Sequence, residues 1–425
     1  MLEHELRRQI VTEMHLRKLP RLKTPSLLVQ WVRLVESSER SREKDLLDER
    51  ISGGAGDPPY VDGQLSPHAR FVWERHSEGS NLAVLLDASR AEAFLQPESI
   101  PEVAEAIRWG ENFPGRVVRA TRIWLAPNDT DANELVPRCN FTAEDMVVCG
   151  IGASARLWSD FRIQEDGYGR LIVASNNTDA GDLTRLVQKL QELGNYRNRA
   201  LLGLPVAKQN WAGLNSIEER LRTLIAKVTN PEITDDGLLE QISGLSIEIA
   251  SISADSNFRL SATAAYAEIV KARLAELDCQ RVTGFASLVD FTERRFLPAI
   301  RTCAAMSERI DQLTERSHQF TSLLRARIET RIEHQNGELL RSMERSADRQ
   351  LRLQELVEGL SIVALSYYAV ALLAYVLKPF ERLLPEGGKD VAIAALVPLM
   401  VASAWYLVAR LKRRVLGGHA ARAAN

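Results

Sequence analysis

Apolar and polar residues change their rhythm twice along this chain. Up to about residue 176 the apolar positions come in short runs. Residues 27–35 alternate well enough for a strand, and 70–76, 81–86, 116–125, 146–157 and 170–174 are further strand candidates. Residues 38–51 and 101–109 read as helices among them. Residues 53–59 and 165–169 carry turn chemistry, rich in glycine, proline and aspartate. Short strands with few helices between them predict an α+β domain over residues 1–176 rather than a doubly wound sheet.

After Asn177 the spacing lengthens to threes and fours. Leu183, Leu186, Val187, Leu190 and Leu193 predict a helix over 179–202. Further helices are expected over 207–228, 235–277 and 290–358, with breaks at Pro205 and at Asn230-Pro231. In the last helix, Met306, Ile310, Leu313, Phe320, Leu324, Ile328, Ile332, Leu339 and Met343 approximate one apolar face. Residues 177–358 therefore read as a helical bundle or coiled-coil stalk. Gly337 is a candidate interruption, because glycine inside a helix costs about 1 kcal/mol against alanine.

The second change is to continuous hydrophobicity. Residues 359–377 and 391–409 carry no charged side chain. Each matches the roughly 20 residues that a helix needs to cross a bilayer core. A neutral loop joins them, and residues 410–425 form a basic tail with Arg410, Lys412, Arg413, Arg414 and Arg422. With Arg341, Arg345, Arg349 and Arg352 before the first segment, the flanking charge predicts that both ends stay inside. The expectation is a two-helix transmembrane hairpin over 359–409 in the inner (cytoplasmic) membrane, with two spans and both termini cytoplasmic. Tyr375, Trp405 and Tyr406 lie near the segment ends, where interfacial aromatic residues belong.

Composition narrows the function. The formal net charge is −2, which argues against nucleic acid as a partner. Cys139, Cys149, Cys279 and Cys303 are scattered without a CxxC pair, so neither a zinc site nor a disulfide framework is expected. No GxxxxGK[ST], HExxH or GxSxG motif occurs. Residues 149–152, Cys-Gly-Ile-Gly, lack the third glycine of a dinucleotide loop and read as close packing at a strand bend. No catalytic residue, cofactor or metal is assigned, and the balance leans away from an enzyme.

Two polar clusters stand out. His15 and Arg17 put an imidazole and a guanidinium close together, suited to holding an anion or relaying a proton, or to a plain surface salt-bridge cluster. Glu74 and His76 share one face of a strand, with Trp73 and Arg75 on the other. A Glu/His pair could serve acid–base chemistry or simply be a hydrogen-bonded structural pair. In the first apolar segment, Ser361, Ala364 and Tyr368 fall near one helical stripe and are candidates for span packing or pore lining.

Four stretches resemble a bacterial family of unknown function, domain-of-unknown-function family 3422. They are EMHLRKLP at 13–20, WERHSE at 73–78, the NYRNRALLGLP core within 183–205, and QLRLQELVEGLSIVALSYY at 350–368. The resemblance implies a membrane-anchored protein and supplies no activity. In its order of parts the chain also resembles CorA-type divalent-cation channels, although Val376-Leu377-Lys378-Pro379 stands where those have Gly-Met-Asn. The expectation is a membrane-anchored homo-oligomeric scaffold or regulatory protein, with the lipid bilayer as partner and any protein partner unknown. The alternatives are a CorA-like oligomeric ion channel or transporter and a membrane-tethered enzyme.

Overall fold

A computed structural model of the protein describes residues 3–13, 19–51, 59–230, 232–377, 394–395 and 397–410. The chain divides into two compact units, Met1–Ser322 and Leu323–Asn425.

The first unit is built on a nine-stranded mixed sheet in the order β2-β3-β4-β1-β5-β8-β7-β6-β9. In chain order the strands are β1 (Ser26–Leu34), β2 (Tyr60–Ser66), β3 (Ala69–His76), β4 (Gly79–Leu86), β5 (Arg116–Ala126), β6 (Val147–Ile151), β7 (Ala155–Ser159), β8 (Gly169–Ala174) and β9 (Gln280–Arg281). The β5–β8 pair is parallel; every other pair of neighbouring strands is antiparallel. The helices are α1 (Arg7–Glu13), α2 (Arg40–Asp48), α3 (Glu92–Leu95), α4 (Pro101–Glu111), α5 (Asp129–Leu135), α6 (Ala180–Leu201), α7 (Gly203–Lys227), α8 (Asp235–Glu276) and α9 (Leu288–Leu377).

Strand alternation sends side chains to two separate cores. Leu27, Val29 and Trp31 of β1 join Phe71, Trp73, Phe94, Trp109 and Trp124 in an aromatic-rich core that includes residues of α2, α3, α4 and α5. Leu28 of β1 joins Ile123, Leu125, Leu157 and Val173 in the opposite core, which the apolar stripes of α6 and α8 close. The sheet is therefore covered on both faces, and β1 is buried along almost its whole length. Next to this layer, α7, α8 and the start of α9 bury apolar residues at helical spacing, including Leu214, Ile217, Ile242, Leu245, Met306 and Ile310. Arg309 on α9 donates to Glu218 on α7, and Ser246 on α8 meets Ser317 on α9 at 2.6 Å.

Several local expectations are corrected. Residues 146–157 are not one strand but parts of two, β6 and β7, joined by a tight turn in which Gly152 takes φ +59°. That left-handed backbone is the use of Gly152, since a Cβ there is strained. Strand β2 had no forecast, because its sequence YVDGQLS alternates weakly. The break near Pro205 falls at Leu202, between α6 and α7. Pro205 lies in the first turn of α7, where a missing N–H costs nothing. Helix α9 passes through Asn336 and Gly337 without interruption. Most of the 53–59 loop lies outside the described residues.

The second unit begins within α9. Large apolar side chains there are exposed, among them Ile332, Leu339, Met343, Leu353 and Val357. The helix runs on without a break to Leu377 and is apolar enough at its end to cross a membrane, with a mean hydropathy of 1.9 over the best 18-residue window. A short apolar helix, Val397–Arg410, follows. Residues 378–393, 396 and 411–425, which hold the expected loop, the start of the second segment and nearly all of the basic tail, lie outside the described residues.

Candidate functional site

The strand register sets up the most unusual region of the first unit. Glu74 of β3 pairs with Asn81 of β4, Asn81 with Val32 of β1, and Val32 with Arg119 of β5. One step along, Val72, Ala83, Gln30 and Thr121 form a parallel row. Both rows belong to the face covered by α6. Helix α6 contributes Gln188, Gln191, Glu192, Asn195 and Arg199 at spacings of three and four, so they share one stripe. The face thus meets the helix through polar side chains where an apolar contact is the norm.

Arg119 lies at the centre. Its Nη1 donates to Gln30 Oε1 at 2.9 Å and to Asn195 Oδ1 at 2.8 Å. Burial pushes its pKa down to about 9, helped by the like charge of Arg197. Arg197 is also buried, and burial pushes its pKa down to about 10; its guanidinium lies 4.7 Å from the Phe161 ring centroid and 5.0 Å from that of Phe291. Among the described residues neither arginine has a carboxylate partner. Gly194 makes room for this arrangement: a Cβ there would lie 2.8 Å from Cζ of Arg119.

A second chain of contacts runs beside it. Arg199 Nη2 donates to Asn81 Oδ1 at 3.1 Å, and Asn81 Nδ2 lies 2.7 Å from His76 Nε2. His76 Nε2 is in turn 3.3 Å from Glu74 Oε2. Because Arg199 is always a donor, it fixes the Asn81 oxygen toward itself and the Asn81 NH2 toward His76. Farther out, Glu78 accepts from Arg259 at 2.7 Å and from the Tyr266 hydroxyl at 3.1 Å.

Between the sheet rows and the α6 stripe lies a cleft of about 50 Å³. Leu19, Tyr60, Val72 and Ala83 form its apolar walls. Its polar lining comprises Gln30, Asn81 and Glu74 from the sheet, and Gln188, Gln191, Glu192 and Asn195 from the helix. Glu192 accepts from Arg273 Nε at 2.6 Å and from Gln188 Nε2 at 3.0 Å. Gln191 is only 3% exposed, and its buried Nε2 meets no acceptor among the described residues.

The structure places Glu74 and His76 together, on the face opposite Trp73, as the strand pattern predicts. His15 and Arg17 lie outside the described residues; Leu19, two positions beyond Arg17, is a wall of the cleft. Ser361 Oγ donates to the carbonyl of Val357 in its own helix at 2.8 Å, and Ala364 and Tyr368 are exposed. Sequence reasoning missed Gln30, Arg119, Gln191 and Asn195. The signal was present in part: Asn195 to Arg199, NYRNR, puts two asparagines and two arginines on an otherwise amphipathic helix. Among the described residues no group of three His, Cys, Asp or Glu converges as a metal site.

A family model described as "Protein of unknown function (DUF3422)" matches residues 2–415. No curated protein and no solved structure matches the chain, so the resemblance to CorA-type channels gains nothing from these comparisons. The match covers nearly the whole sequence, and the chain belongs to that family.

Proposed function

We propose that this member of the family is a membrane-anchored, oligomeric scaffold or regulatory protein. It presents its sheet domain to the cytoplasm and holds the inner membrane by a two-span hairpin, 359–377 and 391–409. The single observation that carries this reading is the unbroken course of α9 into an uncharged apolar stretch whose side chains stay exposed, Leu360, Val363, Leu365 and Leu372 among them. Exposure of so much continuous apolar surface is favourable in lipid and costly in water. The apolar helix Val397–Arg410 supports a second span, and arginines outside both segments support cytoplasmic ends.

Self-association follows from the part of α9 before the apolar stretch. Ile332, Leu339, Met343, Leu353 and Val357 are exposed at successive spacings of seven, four, ten and four residues. That is the pattern of a helix that completes itself in a coiled coil. In the span, apolar burial does not drive helices together, so close packing through the stripe of Ser361, Ala364 and Tyr368 would have to.

Two experiments test the reading. A reporter active only outside the cytoplasm should be silent when fused after Asn425 and active when inserted near Gly387; the reverse pattern removes the topology. Oligomer mass in mild detergent should exceed one chain, and Ala364→Phe should lower it while Leu372→Phe should not. A monomeric wild type leaves the helix as a plain anchor. Ion conductance by the reconstituted protein would favour the channel reading instead.

A further inference from the structure

We propose that the cleft between α6 and the sheet is an oxyanion site that takes a group of carboxylate size. The proposal rests on a mismatch of charge and hydrogen bonding in the cleft wall. Gln30 and Asn195 both spend their amide oxygens on Arg119 Nη1. An amide is planar, with oxygen and nitrogen on opposite sides, so each turns its NH2 away from the guanidinium. Both residues line the cleft, as does Gln191, whose Nε2 has no acceptor among the described residues. Three carboxamide donors therefore border one small space. A buried donor left unmatched costs about 1–3 kcal/mol, and an acceptor in the cleft would remove that cost.

Charge gives the donors a sign. The cations behind the cleft, Arg119 and Arg197, are buried without a carboxylate partner among the described residues. Of the two carboxylates in the lining, Glu192 accepts from Arg273 and Gln188, and Glu74 lies near Arg199 and 3.3 Å from His76, with its Oε1 meeting no hydrogen-bond partner among the described residues. Arg119, Arg197, Arg199 and Arg273 set against Glu74 and Glu192 leave the balance of charge around the cleft positive. An oxyanion accepts from the amide NH2 groups, which Arg119 polarises through their oxygens, and offsets the buried guanidinium without touching it. The cleft volume of about 50 Å³ admits a group of a few heavy atoms and excludes a nucleotide or sugar.

The test uses the full chain in mild detergent, titrated with acetate, inorganic phosphate, acetamide and chloride at matched ionic strength, and read by thermal unfolding and calorimetry. Acetate or phosphate should raise the melting temperature saturably; acetamide, the neutral isostere of acetate, and chloride should not. Gln191→Leu should keep or raise the melting temperature without ligand and weaken acetate binding at least about tenfold, the change for losing one charge-assisted hydrogen bond. Asn195→Asp provides a control of opposite sign. It brings a built-in carboxylate to Arg119, so it should raise stability and abolish the acetate effect. Equal responses to acetate and acetamide overturn the assignment of an anion. Undiminished acetate binding by Asn195→Asp, or the absence of any saturable effect, overturns the site.

Discussion

The two faces of the sheet solve the same packing problem with different materials. The face under α2 to α5 is filled by rings: Phe71 and Trp109 at 4.9 Å between centroids, Trp109 and Phe113 at 4.9 Å, and Trp31 edge-on to Tyr168. Some of its polar atoms are tied off locally, while Arg33 Nε and Nη1 and Trp109 Nε1 meet no partner among the described residues. The Trp31 indole donates to the Tyr168 hydroxyl at 3.0 Å, which donates to Glu111 at 2.6 Å. Under α6 the apolar core is interrupted by a band of amides and arginines with a cleft inside it. A ring-filled face contributes stability and little else. A buried polar band adds less net stability, since each desolvated charge must be offset by its contacts. The contrast is one of degree, since Arg33 is buried among the rings of the first face, but the α6 face alone combines its buried arginines with the cleft lined by amides.

The comparison is sharpened most by cutting into the aromatic face. Trp31→Ala should cost about 3–5 kcal/mol, because it removes a fully buried ring and the partner of Tyr168. The denaturant midpoint should fall with the slope unchanged. On the other face, Gly194→Ala should cost about 1–3 kcal/mol, as the new methyl displaces the buried Arg119 guanidinium. If Gly194→Ala cost nothing, Arg119 would be free to move and the polar band would not be a fixed structure. Asn81→Leu should cost about 1 kcal/mol by taking the acceptor from Arg199, read again from the denaturant midpoint.

The smallest effect concerns Glu43, a buried carboxylate of the aromatic face. Burial raises the pKa of Glu43 above its ordinary value, against the lowering effect of its hydrogen bonds from Ser80 and Trp73. The native state therefore holds this proton where the unfolded chain releases it. Its contribution is complete below the unfolded carboxylate pKa and is lost as pH rises through the folded one. Glu43→Gln should flatten that part of the stability–pH curve. An unchanged curve would mean that Glu43 is fully ionised in the native protein.

Most of the strands of the sheet domain were legible in the sequence, because alternation over β1, β3, β4, β5 and β8 is a local signal. The two-residue β9 and the weakly alternating β2 were not. The band of polar contacts was legible only in pieces. Glu74 and His76 could be placed on one face from period two alone. Arg119, 76 residues before Asn195, could not be joined to it, since only the register of β1 against β5 and the docking of α6 bring them together. Cys149 and Cys279 make the same point. They look unrelated in sequence, yet a thiol–thiol hydrogen bond beside the β6–β9 pair lowers the pKa of the first and raises that of the second.

The central place of β1 also has a consequence in time. This strand, Ser26–Leu34, leaves the ribosome early, but its neighbour β5 ends at Ala126 and the helices that seal its α6 face extend to Glu276. At about 5–20 residues per second, the strand waits many seconds for its partners. The edge that pairs with β5 and the apolar residues under α6 wait longest, exposed to chaperones and to other nascent copies. The apolar end of α9 emerges only after the last strand, β9, has been made. The order of synthesis thus lets the sheet close before that apolar end, the proposed membrane span, is made, and moving the apolar segment to the front of the chain would reverse the two events.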